Sequence, residues 1–280
     1  MYRLHLRIKT IQTLEHISTL KINNLENNFK RLLQSKKKRM KNSISKISTL
    51  LFIAALFSSC NVDLFNKVKG DRNVITQVRK IPNAFSEIKV RTGLDLYIEQ
   101  GPKNKVTVEA DKNLHDIIIT EVEDGILKIY SEKNIWRAKA KKVYVTIKDL
   151  TLLKATSGSN VSGKGTIRSN EIAIAASSGA NIRVAVAAKS VVTKSSSGAQ
   201  IRMEGTTEEH ISSASSGSSI DAYQLISKSA IVKVSSGAAV DLYASEKIDA
   251  KATSGGSIHF KGTPQSVVKK EASGGNVSEK

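Results

Sequence analysis

Apolar residues occupy every second position on both sides of a Ser-Gly pair in the C-terminal half of the chain. Around Gly179 the alternating set is Ile172, Ile174, Ala176 and Ser178 before the glycine, and Ala180, Ile182, Val184 and Val186 after it. Alternation with a period of two is typical of β-strands that bury one face. The pattern therefore predicts a strand, a corner at the Ser-Gly pair and a second strand, with the alternating set pointing inward.

The same unit recurs seven times, with glycines at Gly158, Gly179, Gly198, Gly217, Gly237, Gly255 and Gly274. Successive glycines are 21, 19, 19, 20, 18 and 19 residues apart, and a valine or isoleucine follows each glycine by three positions. A fixed period of about 20 residues is typical of a solenoid, in which each repeat buries its apolar face against its neighbours. The sequence therefore predicts an all-β chain, folded as a single-chain parallel β-solenoid.

A serine precedes each of the seven glycines. Glycine permits the positive φ that a tight corner requires. We expect these glycines to be structural turn residues and the serine hydroxyls to form a ladder, each bonding to the next rung or to the turn backbone. A serine nucleophile is the rival interpretation, but seven equivalent copies favour the structural role.

The segment 74–150 also alternates, less regularly, with turn signals at Gly93, at Gly101-Pro102 and at Asp124-Gly125. We interpret it as wider, imperfect coils continuous with the repeats, with a separate small β-domain as the alternative. In the last repeat the inward positions before Gly274 are Lys269 and Glu271. Inward charge protects the end of a sheet against further pairing, which predicts a C-terminal cap.

Four successive segments carry a resemblance to a known family: Phe85–Ile88, Leu94–Gly101, Gly125–Ile129 and Val143–Ile147, leading into the Ser-Gly repeats. Over residues 80–278 this order resembles the bacterial head GIN domain family of Bacteroidetes, whose members are described as candidate auto-transporter adhesins. The resemblance implies a β-helix of pectin-lyase-like shape without the catalytic residues of those enzymes. It also implies an adhesive role for this domain.

A short basic stretch from Met40 to Lys46 precedes an apolar run from Ile47 to Phe57, and Cys60, the only cysteine, follows two serines. A basic region, an apolar run of about 7–15 residues and small residues at the cleavage site are typical of a secretory signal. We expect residues 40–59 to be a lipoprotein signal peptide, with lipid on Cys60. A buried cysteine that follows an apolar run by chance is the alternative.

The signal-peptide interpretation leaves two further N-terminal segments to assign. Residues 60–79 would be a lipidated tether, and residues 1–39 would be a mis-annotated or non-structural extension, with translation beginning at Met40. A cytoplasmic amphipathic extension is the alternative for residues 1–39. The expected location is the cell envelope, as an outer-membrane lipoprotein that faces the periplasm or the surface.

The formal net charge of the chain is +19, but residues 60–280 hold 32 Lys and Arg against 23 Asp and Glu. We find no basic stripe interleaved with aromatic residues, so the sequence does not favour nucleic-acid binding. The positive charge is compatible with anionic glycans or lipid headgroups, and a glycan or a cell-surface molecule is the expected ligand. The oligomeric state stays open.

Few residues after the signal have the chemistry of a catalytic or metal site. His115, His210 and His259 have no metal-ligand spacing, so neither a metal nor a cofactor is expected. His210 is predicted to lie in a solvated bend and His259 to point outward. Asp221 and Asp241 are expected to be neighbours in adjacent rungs, where two carboxylates could bind a cation or cleave a glycosidic bond.

A line of polar residues follows the glycines by two positions: Asn160, Asn181, Gln200, Ser219, Ala239, Ser257 and Asn276. It could be an amide ladder that stabilises the stack or a flat strip that contacts sugars. The leading hypothesis for the whole chain is a non-enzymatic cell-envelope adhesin. The alternatives are a polysaccharide lyase or hydrolase on a β-helix and a purely structural envelope protein.

Overall fold

The computed structural model of the chain describes residues 67–81 and 84–280. Ten strands precede the repeats: β1 (Lys67–Lys69), β2 (Val74–Arg79), β3 (Glu87–Val90), β4 (Asp95–Gln100), β5 (Lys105–Asp111), β6 (Ile118–Glu123), β7 (Ile126–Ser131), β8 (Asn134–Trp136), β9 (Lys141–Ile147) and β10 (Leu152–Ala155). The repeats contain β11 (Asn160–Ala176), β12 (Asn181–Ser195), β13 (Gln200–Ala214), β14 (Ser219–Val234), β15 (Ala239–Tyr243), β16 (Lys247–Thr253), β17 (Ser257–Lys261), β18 (Ser266–Ala272) and β19 (Asn276–Glu279). In these residues there is no α-helix, and a single 3-10 turn spans Lys112–Leu114. The described part contains no helix that is long and apolar enough to cross a bilayer.

The repeats stack as rungs, each consisting of a strand before the corner, the Ser-Gly corner and a strand after it. Strands β10 to β19 pair only in parallel, and equivalent repeat positions lie opposite each other. β11, for example, pairs with β12 from Asn160 opposite Asn181 to Ala176 opposite Ser195. The predicted all-β parallel solenoid is confirmed.

The interior of the stack is filled by the alternating apolar positions. Ile174 and Ala176 before the corner, and Ala180 and Ile182 after it, are buried, and their equivalents in the other rungs join them in one continuous core. Each parallel rung leaves half of its strand positions facing this core, so burial of small and β-branched side chains is the main stabilising term. The corner serine Ser178 is exposed and therefore does not belong to the inward set.

Each corner is a two-residue turn in which both the serine and the glycine have positive φ. The seven serines have φ between 51° and 55°, and the seven glycines have φ between 65° and 76°. A hydrogen bond closes the turn from Ala180 N–H to Ser177 C=O at 3.2 Å, and the same bond recurs in each repeat. Positive φ at both central residues is typical of a type I′ turn, which suits the right-handed twist of the flanking strands.

The corners are joined by backbone groups. The N–H of Gly179 donates to the C=O of Ser197 at 3.0 Å, and this bond repeats along the stack from Gly158 to Gly255 at 3.0–3.1 Å. The predicted ladder of serine hydroxyls is therefore wrong. The left-handed conformation turns the serine side chain outward and points its carbonyl at the next glycine.

The segment before the repeats continues the same stack. β3 and β4 flank a further corner at Thr92 and Gly93, and they pair in parallel with β10 and β11. Gly93 N–H donates to the corner carbonyl of Ser157 at 2.9 Å. The continuous arrangement is therefore the correct interpretation, and the separate β-domain is not found.

Beyond that rung the stack changes direction. β7 and β9 add one more parallel rung, and then β5 and β6 pair with them in antiparallel fashion. β2 pairs in antiparallel fashion with β5. The reversed strands end the core on this side, so the expected wide coils are in part a cap of hairpin pairing.

Residues 67–79 belong to this cap and not to the tether that the sequence predicts. β1 pairs in parallel with β8, and β2 lies against β5. The buried carboxylate of Asp111 accepts hydrogen bonds from the backbone N–H groups of Arg72, Lys139 and Ala140 at 2.9–3.1 Å. Burial alone would raise the pKa of Asp111, but these bonds outweigh it and lower the pKa. This anchor holds the segment to the fold, and the boundary at residue 80 is wrong.

The C-terminal end of the stack carries two charged side chains at inward register positions. Lys269 and Glu271 occupy the inward register opposite the buried Ala250 and Ala252. The Lys269 Nζ lies 5.1 Å from the ring centroid of Phe260, the last large core side chain, and Glu271 accepts a hydrogen bond from Val277 N–H. The two charged residues therefore lie at inward register positions, as the sequence predicts.

The corner geometry predicts how substitutions at Gly198 behave. A Cβ at this position meets no atom within 4 Å, so a change acts through φ alone. Asparagine tolerates positive φ and valine does not, and strained conformations cost about 1–3 kcal/mol. We expect G198V to lower the free energy of unfolding by this amount relative to G198N, measured by urea denaturation. Equal stability of the two variants would contradict the assigned turn.

Candidate functional site

The outer face of the strands that follow the corners carries the predicted polar line. Parallel pairing places all seven residues in one row along successive rungs: Asn160, Asn181, Gln200, Ser219, Ala239, Ser257 and Asn276. Asn181 Nδ2 donates to Asn160 Oδ1 at 3.1 Å, and Asn160 Nδ2 donates to Asp95 Oδ1 at 2.9 Å. An amide ladder therefore exists at the N-terminal end of this row, and Asp95 extends it by one rung.

A second outward row lies two positions further along each strand, and we call it the central row. Its members, in spatial order, are Tyr144, Tyr97, Ser162, Arg183, Arg202, Asp221, Asp241, His259 and Ser278. Neighbouring members are about 4.8 Å apart along the stack, the usual spacing of paired strands. The row changes from aromatic to basic to acidic character.

Asp221 and Asp241 are neighbours in the central row, as the repeat positions predict. Arg202 Nε lies 2.8 Å from Asp221 Oδ2, and His259 Nδ1 lies 2.8 Å from Asp241 Oδ1. Each carboxylate therefore has its own basic partner, on the side away from the other carboxylate. The two carboxylates therefore make separate contacts, an ion pair with Arg202 and a hydrogen bond with His259, so neither acid is a free general acid or base. His259 points outward, as predicted.

Tyr223 lies beside the two aspartates, two positions beyond Asp221 on β14. Burial raises its pKa to about 12, and the nearby Asp241 carboxylate acts in the same direction. Its ring is covered by Lys261, whose Nζ lies 4.5 Å from the ring centroid. A tyrosine with a raised pKa keeps its proton at neutral pH, which suits a hydrogen-bond donor and not a base.

The polar line and the central row enclose a shallow cleft of about 300 Å³. Its polar lining comprises Asn160, Ser162, Asn181, Arg183, Gln200, Arg202, Ser219 and Asp221. Arg183 forms no ion pair within the described residues, so its guanidinium is free to bind an acceptor group. Amide and guanidinium groups in this arrangement can donate several hydrogen bonds to one polar ligand.

Two tyrosines at the N-terminal end of the central row were not recognised as site residues from sequence. Tyr97 and Tyr144 are exposed, their ring centroids are 5.1 Å apart, and their planes differ by 19°. Tyr144 donates a hydrogen bond to Glu109, and a cavity of about 250 Å³ lies beside the pair, near Lys164. Their signal was available, because both occupy outward positions of alternating strands.

His210 is buried, and its assignment to a solvated bend is wrong. β13 runs without a break through this position, which is opposite the inward residues Val191 and Ala230. His210 Nε2 lies 3.0 Å from Thr193 Oγ1, which donates in turn to Ser212 Oγ. Nε2 therefore has a hydrogen-bond partner, and Nδ1 is buried without one. Burial lowers the pKa of His210 to about 4, so it is neutral inside the stack.

His115 is buried at the N-terminal cap, where its Nε2 lies 3.1 Å from Ile75 C=O and 3.2 Å from Ala110 C=O. The three histidines therefore lie at separate places in the fold. Across residues 67–81 and 84–280, no three His, Cys, Asp or Glu side chains come together as a metal site. Cys60 lies outside the described residues, and its lipidation stays a prediction.

The fold places this chain among the parallel β-solenoids. The family model described as "Putative auto-transporter adhesin, head GIN domain" matches residues 84–264, and the chain belongs to this family. No curated protein matches the chain.

Solved structures from Bacteroides fragilis and Parabacteroides distasonis have a similar fold. A "putative adhesin" from Bacteroides fragilis has a TM-score of 0.71 and 19% identity, covering 76% of this chain and 100% of that one. A "putative adhesin" from Parabacteroides distasonis has a TM-score of 0.64 and 23% identity, with coverage of 76% and 100%. A "putative lipid binding protein" from the same organism has a TM-score of 0.64 and 22% identity, with coverage of 76% and 99%. These similarities concern the fold.

The buried His210 predicts a pH dependence of stability. Its pKa is about 4 in the folded chain, against an ordinary value of about 6.5, so the unfolded chain binds more protons between these values. The contribution of His210 to the free energy of unfolding is therefore fully present above about pH 6.5. It is lost as the pH is lowered towards 4, by roughly 3 kcal/mol in total. We expect H210V, which copies Val191 of the adjacent rung, to remove this part of the pH dependence in urea denaturation between pH 7 and 4.

The control is H259N, which changes the outward histidine. It should keep the full decrease in stability on acidification. If H210V and the unchanged chain lose stability in parallel as the pH falls, the neutral buried state of His210 is refuted.

Proposed function

We propose that this chain is a non-enzymatic cell-envelope lipoprotein that acts as an adhesin through the outer face of its solenoid. The observation that carries the proposal is the central row, where exposed aromatic and basic side chains lie in register beside the polar cleft. Tyrosine and arginine are among the residues that are enriched at the hot spots of protein interfaces. Their placement on a rigid array of parallel strands keeps them preorganised, which lowers the entropic cost of binding.

Membership of the head GIN domain family supports the adhesive role. The groups on this face suit a glycan or another polar cell-surface molecule. Tyr97 and Tyr144 offer apolar ring surface and hydroxyl groups, while Asn181, Gln200 and Arg183 offer hydrogen-bond donors. A polar ligand that lies along the stack could contact several rungs at once, because equivalent side chains project from the same position of each rung.

The contacts of Asp221 and Asp241 in the central row support a binding role over the alternative of a lyase or hydrolase. A glycosidase requires one carboxyl group that protonates the leaving oxygen and another that acts as a base or nucleophile. Asp221 and Asp241 are each held by a basic neighbour at 2.8 Å. A purely structural envelope role is the second alternative, and it does not explain why Tyr97 and Arg183 are displayed.

The membrane attachment in this proposal is through lipid on Cys60. Since β1 begins at Lys67, residues 61–66 would remain as the tether between the lipid and the folded part. One acyl chain gives only marginal membrane binding, whereas two or more anchor a protein stably. A lipidated cysteine with several chains would therefore hold the solenoid at the outer membrane, on its periplasmic or its surface side.

The adhesive role is tested with the variant Y97S/R183S. Both residues flank Ser162 in the central row, so serine copies the neighbouring rung and should leave the fold intact. We expect the full chain to bind intact cells or a glycan array, and the double variant to lose about tenfold or more in affinity. Urea denaturation accompanies the assay, because a lower free energy of unfolding in the double variant would attribute its loss of binding to misfolding.

The matched control is W136S/R137S. Trp136 and Arg137 also form an exposed aromatic–arginine pair, with the guanidinium 4.3 Å from the ring centroid, but they lie outside the central row. The control should bind like the unchanged chain. Equal binding by both double variants would show that the central row is not the binding surface. No binding by the unchanged chain would count against adhesion itself.

The anchor is tested by C60S. We expect the unchanged protein to fractionate with membranes and to yield an acylated peptide that begins at Cys60, because the thiol is the attachment point. C60S should remain unacylated and leave the membrane fraction. Mass spectrometry of the two fractions decides the matter, and an unmodified Cys60 in the membrane-bound protein would refute the anchor.

A further inference from the structure

The outer face of the strands that precede the corners carries a row of lysines. Following the register from the N-terminal cap to the C-terminal cap, successive rungs place these residues in one line: Lys128, Lys89, Lys154, Ala175, Lys194, Ser213, Lys233, Lys251 and Lys270. Seven of the nine positions are lysine, and we call the line the lysine row. Neighbouring positions are about 4.8 Å apart.

Nearly all of this charge is uncompensated. Lys128 forms an ion pair with Glu123, but within the described residues none of the other six lysines has an acidic partner at ion-pair distance. Like charges directly opposite each other on paired strands destabilise a sheet. Three consecutive lysines occur twice, once at each end of the row, so the row opposes the stability of the fold. A bound polyanion would relieve this repulsion.

The lysine row borders a groove and a second line of polar groups. A cavity of about 250 Å³ lies around Ser213, where the row has no lysine, and Lys194, Lys233 and Lys251 line it. Hydroxyl groups of Ser215, Ser235 and Thr253 line the same cavity from the side of the corners. Ammonium groups and hydroxyl groups therefore converge on one groove that runs along the stack.

We propose that the lysine row binds a linear acidic polysaccharide, with carboxylate or sulfate groups on the lysines and sugar hydroxyls on the serines and threonine. This inference rests on the proposed adhesive function and adds a second binding surface of defined chemistry. The positive charges lie along a single line, with one lysine on most rungs. A linear polyanion can match such a line along its whole length, and a small anion can use only one or two positions.

Two other anionic ligands, an anionic membrane and a single-stranded nucleic acid, fit the row less well. The outward row next to it contains exposed Val192 and Ile231, but it also contains Glu87 and Asp249, which an anionic membrane would repel. Single-stranded nucleic acids are bound by stacking of bases on aromatic side chains, and the lysine row has none. Both ligands are included in the test as competing outcomes.

The test compares the full chain with the triple variant K194S/K233S/K251S, in which serine copies Ser213 of the same row. The probes are polygalacturonate for carboxylate, dextran sulfate for sulfate, uncharged dextran, a poly(dT) oligonucleotide, and vesicles of phosphatidylcholine with phosphatidylglycerol. The control variant K105S/K112S/K133S removes the same charge at exposed positions outside the row. Affinity is measured at several NaCl concentrations, and thermal unfolding is followed for every variant.

The unchanged chain should bind at least one of the two acidic polysaccharides and not dextran. The triple variant should bind about tenfold or more weakly, and its plot of log affinity against log NaCl should be less steep by roughly 2 to 3, one for each lost contact. It should unfold at the same or a higher temperature than the unchanged chain, because like-charge repulsion is removed. A175K, which fills the other gap of the row, should bind more tightly and with a steeper salt dependence.

Equal affinity of the triple variant and the control would overturn the proposal. Binding of vesicles or poly(dT) without either acidic polysaccharide would assign the row to that ligand and also overturn it. If the unchanged chain adheres to cells but binds neither acidic polysaccharide, the lysine row is excluded and the proposed adhesive function stands. If the unchanged chain binds a polysaccharide through the row but does not adhere to cells, the lysine row is supported and the proposed adhesive function is excluded.

Discussion

The structure depends on the hydrogen bond that joins successive corners, from a glycine N–H to the carbonyl of the serine in the next rung. This bond forms only if both residues of the turn have positive φ, which sets the corner conformation in every repeat. Because the bond is made at the same place in each rung, it also sets the register of the strands on both sides. Each rung is therefore a near copy of the one before it, and variation between the glycine spacings is absorbed away from the corners.

Identical register has a consequence for the surface. Any residue type that recurs at one repeat position becomes a row along the stack, spaced by the distance between paired strands. Inside, the rows are alanine, valine and isoleucine, and two polar positions pair with each other, as Thr193 does with His210. Outside, the rows differ in chemistry, so one row carries lysines and another changes from tyrosine to arginine to aspartate. Function in such a fold is a property of rows more than of single residues.

Most of the fold was predictable from the glycine spacing and the alternation, because both signals repeat seven times and a local error does not change the pattern. His210 was misassigned because the two glutamates before it suggested a bend, whereas the strand continues and its phase places the histidine inside. The tether was drawn too long because β1 and β2 are short and pair with strands far along the chain. The lysine row was missed although a lysine stands four residues before the glycine in five of the seven repeats, and again at Lys89 before Gly93.

The sequence by itself determined the repeat, the corners, the inward faces of the strands and the charged C-terminal rung, because each of these follows from local periodicity and from the φ that glycine permits. Only the tertiary structure decided which partner each side chain has. It placed Asp221 against Arg202 and Asp241 against His259, stacked Tyr97 on Tyr144, and reversed β5 and β6 into a cap around Asp111. The longest of these contacts, Tyr97 with Tyr144, joins residues that are 47 positions apart. Their geometry depends on strand direction and rung order, which local alternation does not specify.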